Sequence, residues 1–336
     1  MHPATDVVLR NTDRLAAPVV LVGPPDVASV EAICAEVAAD VVADRADVAD
    51  ACTNARFGVA PSTDDDRAPW QTAVVWLPRG RERIDVTVSL AAAALAPGGT
   101  VLLTGPKKGG IKSAAKRLAE TFGAVDRVDS ARHCSLLAAT VDAPPTVDAS
   151  AWDRSWTASI DGADLEVATN PGVFADGHLD DGTAMLLDAL PRHLKGRVLD
   201  VGTGCGVIAA TCARRGARRV VAADVDAWAV RAARQTFASN GLDVEVVATD
   251  ALTNLTERFD LIVSNPPFHT GVDIDHDVGA RIVRQALARL RPGGALWFVA
   301  NRFLRYPHVL EDAGARFERE AEDGRFCVYR AWPGRR

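Results

Sequence analysis

The chain has 336 residues, of which 48% are apolar and 6% aromatic, and a formal net charge of −6. That length is generous for one hydrophobic core and comfortable for two, and the mild acidity does not by itself advertise a nucleic-acid binder. Six cysteines are scattered with no Cys-x-x-Cys pair, which argues against a zinc centre or a disulfide framework and for a reducing compartment. No metal site is expected. No apolar run approaches a membrane span, and the segment from Met1 to Asp6 lacks the basic-then-apolar pattern of a signal peptide. A cytoplasmic protein is therefore expected, with a monomer as the favoured state.

In the first half, Val19-Val20-Leu21-Val22-Gly23 reads as a buried parallel strand entering a turn, and Thr72 to Pro78 as a later strand of the same kind. Leu95-Ala96-Pro97-Gly98-Gly99 precedes a third, Thr100 to Leu103. Acid collects early, at Asp40, Asp44, Asp47 and Asp50. Base collects later: Lys107, Lys108, Lys112 and Lys116 fall in one stretch that no acid interrupts. An overall acidic protein can still carry one basic face, so this stretch reads either as a solvated surface or as a contact for nucleic-acid phosphates.

Asp142-Ala143-Pro144-Pro145-Thr146 is a polar, proline-stiffened linker, which divides the chain into residues 1–143 and 144–336. Trp156 to Thr169 alternates about Asp161-Gly162 as a hairpin, and the Gly- and Asp-rich stretch 170–183 opens a helix near Gly182-Thr183-Ala184. Strands and helices then alternate. The expected strands are Arg197–Val201, Arg219–Ala223, Val244–Ala248, Leu261–Ser264 and Ala295–Ala300; the expected helices are Val207–Arg214, Ala227–Asn240 and Val278–Leu290. A last hairpin turns at Asp323-Gly324. This is an α/β pattern of doubly wound, Rossmann-like sheets.

The first half looks like a worn copy of the second. Leu95 to Leu103 parallels Leu290 to Phe298, and Val19 to Gly23 parallels Val198 to Gly202. Gly23-Pro24-Pro25 replaces a glycine-rich turn, and Trp76-Leu77-Pro78 stands where the second half has Asn265-Pro266-Pro267. Catalysis is assigned to the second half alone.

Asp200-Val201-Gly202-Thr203-Gly204-Cys205-Gly206 leaves a strand and enters a helix, with its third glycine one residue too early for the dinucleotide fingerprint. A nucleotide turn or a purely structural turn remains open on this motif alone. With Asp200 before it, the pattern fits S-adenosylmethionine, whose amino group Asp200 would hold directly or through water. Asp224 at the next strand end is placed for the ribose hydroxyls and Val225 for packing on adenine; Asp250 and the Ala251 N–H are placed for the adenine edge. Asn265-Pro266-Pro267-Phe268 follows the fourth strand. A planar exocyclic nitrogen is a poor nucleophile, and an amide oxygen with a backbone carbonyl can orient its lone pair toward a methyl donor. Two prolines fix the backbone, and Phe268 offers a stacking face. His269 either assists or caps the loop, Phe174 and Asp180 close over the cofactor or serve the loop's structure, and Asn301 reaches the target pocket or ends its strand.

Taken together, Gly105–Lys116, Asn170–Phe174, Val198–Gly206, Asn265–Gly271 and Ala295–Leu304 resemble class I S-adenosylmethionine-dependent methyltransferases, and more narrowly the ribosomal RNA guanine-N2 methyltransferases with two tandem methyltransferase-like domains, the first degenerate. The family's usual Asp after Phe-His is Thr270 here. The resemblance implies methyl transfer to the N2 amine of a guanine in ribosomal RNA, with the first domain positioning RNA through its lysines. Enzymes acting on adenine N6 or on a protein glutamine amide use a similar tetrad and stand as the alternatives. The absence of a separate recognition domain weighs against the DNA-adenine reading, and the duplicated domain with its lysine patch against the glutamine reading.

Overall fold

The computed structural model describes residues 1–61, 69–174, 177–266 and 276–334. The chain divides into two compact units, Met1–Asp153 and Arg154–Arg336. In the first, strands β1 (Val19–Val22), β2 (Ala39–Ala43), β3 (Ala55–Phe57), β4 (Trp70–Trp76), β5 (Leu95–Pro106), β6 (Val125–Ala131) and β7 (Cys134–Val141) form one sheet in the order β3-β2-β1-β4-β5-β7-β6. Strands β1 to β5 run parallel, and β7 is antiparallel to both β5 and β6. Helices α1 (Pro3–Leu9), α2 (Val27–Cys34), α3 (Ala46–Ala51), α4 (Arg81–Ala93) and α5 (Ile111–Phe122) pack around the sheet. Strand β1 is buried at every residue, which is why it reads as a continuous apolar run and not as an alternation. The unit extends past the Pro144-Pro145 linker because Asp148 caps a single 3-10 turn, Ala149–Trp152, that packs on α4.

The second unit opens with a ribbon of β8 (Arg154–Ile160) and β9 (Ala163–Thr169). Asp161 and Gly162 join them at φ 56° and 75°, the turn geometry that matches strand twist. The ribbon is fastened to the sheet's helix layer by the Ala168 N–H, which donates to Thr236 Oγ1 at 2.9 Å, and by Asn240 Nδ2, which donates to the Glu166 carbonyl. Then follow α6 (Asp181–Ala189), β10 (Arg197–Val201), α7 (Val207–Arg214), β11 (Arg219–Asp224), α8 (Ala227–Ser239), β12 (Glu245–Ala248), β13 (Phe259–Ser264), α9 (His276–Ala288), β14 (Leu290–Asn301), α10 (Tyr306–Asp312), β15 (Arg316–Glu322) and β16 (Phe326–Trp332). Its sheet runs β12-β11-β10-β13-β14-β16-β15, the order of the first unit strand for strand. The doubly wound class expected from the alternation is what forms, twice.

The equivalence extends to single hydrogen bonds. Gly23 N–H donates to the Val42 carbonyl at 2.9 Å as Gly202 N–H does to Ala223 at 2.8 Å; Gly58 N–H donates to Ala43 at 3.0 Å as Thr249 N–H does to Asp224 at 2.8 Å. The Pro-Gly-Gly segments also behave alike. Strand β14 begins at Leu290, earlier than Ala295: Leu290 pairs with Phe259 and Ala295 with Leu261, so Arg291–Gly294 arches out between two paired positions. Strand β5 does the same, with Leu95 on Trp70 and Thr100 on Thr72. A Cβ on Gly294 would lie 2.9 Å from the Asp260 carbonyl oxygen and one on Gly99 2.9 Å from that of Ala96, so both arches require glycine. Among the described residues no helix is long and apolar enough to cross a membrane.

Candidate active site

In the second unit the carboxyl ends of β10, β11 and β13, with the loop after β12, border a cavity of about 360 Å³. Parallel α/β sheets leave their crevice here because successive crossovers depart to opposite faces. The turn after β10 supplies one wall. Gly202 and Gly204 line the cavity at φ 72° and 53°, and a Cβ on either would meet no atom within 4 Å. Positive φ requires glycine at both, and the bare backbone leaves room for a ligand. Gly206 differs. It lines no described cavity, and a Cβ there would lie 2.8 Å from the Phe237 ring, so it serves the packing of α7 on α8.

Asp224 ends β11 on the cavity wall. Its Oδ2 accepts from the Gly204 N–H at 2.9 Å and its Oδ1 from the Asp226 N–H at 3.0 Å. Burial pushes its carboxyl up to about 6, against the pull of these backbone donors. Each oxygen keeps a second lone pair for a ligand hydroxyl. Val225, Ala251 and Ile282 give the cavity apolar surface. Asp250 also lines it, and its carboxylate receives a bidentate fork from Arg281 on α9, with Nη1 to Oδ2 at 2.5 Å and Nη2 to Oδ1 at 2.8 Å. Nothing in the sequence marks Arg281, because a cation on a helix face has the same appearance whether it faces water or a carboxylate.

Asp200 stands elsewhere than its motif position suggests. It is fully buried behind the glycine turn and lines neither described cavity on this side of the sheet. Its Oδ2 accepts from Thr203 Oγ1 at 2.6 Å and from the Ala209 N–H at 3.1 Å, tying the turn to α7, while Oδ1 has no partner among the described residues. Burial pushes its carboxyl up to about 7.

Beside the main cavity a recess of about 30 Å³ is lined by Phe174, Asp180, Thr183, Thr203, Asn265 and Trp156 among others. That is room for a charged headgroup or a water, not for a ring. Phe174 borders both spaces and is 59% exposed. Trp156 of β8 adds an indole Nε1–H that is buried without an acceptor among the described residues. Such a donor is costly to leave unpaired and calls for a partner.

Asp180 caps α6, accepting from the Thr183 N–H at 2.9 Å. It does not border the main cavity. Its Oδ2 also accepts from Asn265 Nδ2 at 3.1 Å, and Thr183 Oγ1 accepts from the same nitrogen at 2.9 Å. Both protons of the Asn265 amide nitrogen are thus spent on α6. The amide is fixed in one orientation, and its Oδ1 is left as an acceptor next to Pro266 on the cavity wall. Pro267, Phe268 and His269 lie outside the described residues. Asn301 ends β14, half-buried, and borders neither space. Lys107, Lys108, Lys112 and Lys116 are all exposed on the first unit, Lys116 3.8 Å from Glu120.

The cavity suits an adenosyl ligand with an amino-acid tail: it has a carboxylate on its wall, apolar surface beside it, and a small recess with a few polar groups next to the glycine turn. Comparison with known proteins agrees. The methyltransferase small domain model matches residues 164–330, and the model of that domain's N-terminal partner matches residues 5–156. A ribosomal RNA small subunit methyltransferase C from Pseudomonas paraeruginosa is 40% identical over 98% of this chain and 99% of its own. One from Escherichia coli is 39% identical over 83% of this chain and 80% of its own. Among solved structures, a T. thermophilus 16S rRNA N2 methyltransferase (RsmC) in complex with AdoMet and guanosine superposes with a TM-score of 0.85 at 27% identity, covering 99% of this chain and 92% of that one. The chain belongs to the methyltransferase small domain family, among the ribosomal RNA small subunit methyltransferase C proteins, and its two units are both class I methyltransferase folds.

Proposed function

We propose that this protein transfers a methyl group from S-adenosylmethionine to the exocyclic N2 amine of a guanine in small-subunit ribosomal RNA, the guanine that its T. thermophilus relative methylates. The observation that carries the reading is the fixed amide of Asn265, an acceptor held ready for an N–H donor. Its Oδ1 and the Pro266 carbonyl accept from the two N2–H groups, which turns the nitrogen lone pair toward the cofactor, while Phe268 stacks on the flipped base. S-adenosylmethionine supplies an electrophilic sulfonium methyl. As the N2 lone pair forms the new C–N bond, the S–C bond breaks, S-adenosylhomocysteine leaves, and the methylated amine sheds its extra proton to water. Positioning supplies the acceleration, and no strong base is required.

In this reading Asp224 holds the ribose hydroxyls, and Asp250, steadied by Arg281, accepts from the adenine amine beside the Ala251 N–H. Trp156 Nε1–H and the backbone donors at the start of α7 take the methionine carboxylate. Asp200 fastens the turn from behind. Lys107, Lys108, Lys112 and Lys116 engage RNA phosphates.

Labelled methyl donor and small-subunit ribosomal RNA from a strain lacking the protein test this directly. Label should appear as N2-methylguanine at one position, and an identical modification map in the presence and absence of the protein would refute the reading. Replacing the four lysines by glutamate should weaken RNA binding and leave S-adenosylhomocysteine affinity unchanged.

A further inference from the structure

The repeat places the lysine-bearing corner of the first unit onto a specific corner of the second. Strand β5 ends at Pro106 opposite Cys134, and β14 ends at Asn301 opposite Phe326. Just beyond, Lys107 N–H donates to the His133 carbonyl at 2.7 Å, and Arg302 N–H donates to the Arg325 carbonyl at 2.9 Å. Lys107, Lys108 and His133 therefore correspond to Arg302, Phe303 and Arg325. All six are exposed. The second corner thus has an arginine in place of Lys107, an arginine in place of His133 and, in place of Lys108, an aromatic ring that is 63% exposed, the most exposed large apolar side chain among the described residues.

Its position gives this exchange meaning. Asp180 holds the Asn265 amide, and its neighbour Asp181 meets Arg325 Nη1 at 2.9 Å. Arg325 accepts from Arg302, and Phe303 follows Arg302. Hydrogen bonds and chain neighbours thus link the amide to the residue that carries the ring. The corner carries acid as well: Asp181 pairs with Arg325, and Arg302 Nη1 donates to the Asp323 carbonyl at 2.8 Å, close to an exposed Asp323 carboxylate. Arg305, also exposed, keeps the cations in excess. The Arg325–Asp181 pair is solvent-exposed on both sides, so exchanging Asp181 for a phosphate costs little.

We propose that this corner binds the nucleotide adjoining the target guanine, with Phe303 stacking on its base and Arg302 and Arg325 holding the flanking phosphates. The assignment rests on the RNA reading above. An aromatic platform between two cations is the means by which proteins hold single-stranded nucleic acid without reading its sequence. A guanine pulled from its stack leaves a neighbour whose exposed face needs cover, and a ring here supplies it.

The test compares methylation of small-subunit ribosomal RNA with methylation of free guanosine, which has no neighbouring nucleotide. Phe303→Ala should raise the KM for RNA about 5- to 100-fold, so that the RNA-to-guanosine activity ratio falls by the same factor. Phe303→Trp should restore the ratio and Phe303→Leu should not, a pattern that a merely structural side chain would not produce. Arg302→Gln with Arg325→Gln should lower the salt dependence of RNA binding by about two in slope. If the wild-type protein methylates both substrates and Phe303→Ala leaves their ratio unchanged, the corner assignment falls alone. If the wild-type protein methylates neither, the proposed function falls with it.

Discussion

The two sheets share strand order, bulges and turn hydrogen bonds, yet the seats at their strand ends are filled in opposite ways. In register, Leu21 sits where the second unit has Asp200, Ala43 where it has Asp224, and Trp76 where it has Asn265. Leu21 and Ala43 are fully buried and Trp76 is 5% exposed. Even the link from the fourth strand to the helix ahead of the first strand persists: Trp76 Nε1–H donates to Thr5 Oγ1 at 3.3 Å, as Asn265 Nδ2 does to Thr183 Oγ1 at 2.9 Å. The first unit has core where the second has a polar crevice. A buried carboxylate costs stability unless a partner or ligand compensates it, and where there is none an apolar residue in the same seat stabilises the fold.

That comparison predicts reciprocal losses. Asn265→Ala should lower methyl incorporation into RNA by about 100- to 1000-fold, the scale of removing one positioned hydrogen-bonding group from a reacting centre, with little change in melting temperature. Trp76→Ala should do the reverse, costing about 3–5 kcal/mol of unfolding free energy for a large buried ring, while activity per folded molecule holds. Equal effects of the two on turnover would break the division of labour.

Asp224→Ala should weaken S-adenosylhomocysteine binding about 10- to 100-fold by titration calorimetry, as expected for hydrogen bonds to a charged acceptor. Ala43→Asp should gain no binding and should destabilise the first unit. The pH dependence sharpens the same point. With its carboxyl raised to about 6 from 3.8, Asp224 in its proposed role accepts from two hydroxyls only when ionised, so ligand affinity should be level above pH 6 and fall as pH drops through it. Folding responds in the opposite direction. The folded state binds this proton more tightly than the unfolded one, so the contribution of Asp224 to the stability of the ligand-free protein should grow as pH falls from above 6 toward 4. Asp200, raised to about 7, acts in the same sense. Calorimetry of binding and thermal unfolding across that range should show the two trends diverging.

How much of this was legible in the sequence follows from what each signal depends on. The strands and helices of the second unit were, because apolar runs and turn residues are local, and most expected boundaries lie within two residues of those observed. The start of β14 was missed because Pro-Gly-Gly ordinarily ends an element, whereas here it arches out between two paired residues. Asp224, Asp250, Gly202 and Gly204 were legible as cavity lining because strand ends and ligand sites coincide in this fold. The bonds of Asp180 and Thr183 to Asn265, and of Arg281 to Asp250, were not. Each joins residues distant in the chain, and in each the side chain has a common local use, as a helix cap or a surface cation, that conceals the longer contact.

The smallest expected effect tests the finest part of the comparison. Thr183→Val removes one of two acceptors from the Asn265 nitrogen and keeps the shape of the side chain. The amide retains Asp180 but gains freedom to rotate, so turnover should fall roughly 3- to 10-fold, the cost of about one ordinary hydrogen bond, with S-adenosylhomocysteine affinity nearly unchanged. In the first copy, Thr5→Val removes the corresponding acceptor from Trp76 and also the Thr5 hydroxyl bond to Ser29 at 2.7 Å. Both are buried, so the loss should appear as about 1–3 kcal/mol of stability and not as a change in rate. A matched pair of substitutions, one read in turnover and the other in melting, would show that the same hydrogen bond orients a substrate acceptor in one copy and only holds a core together in the other.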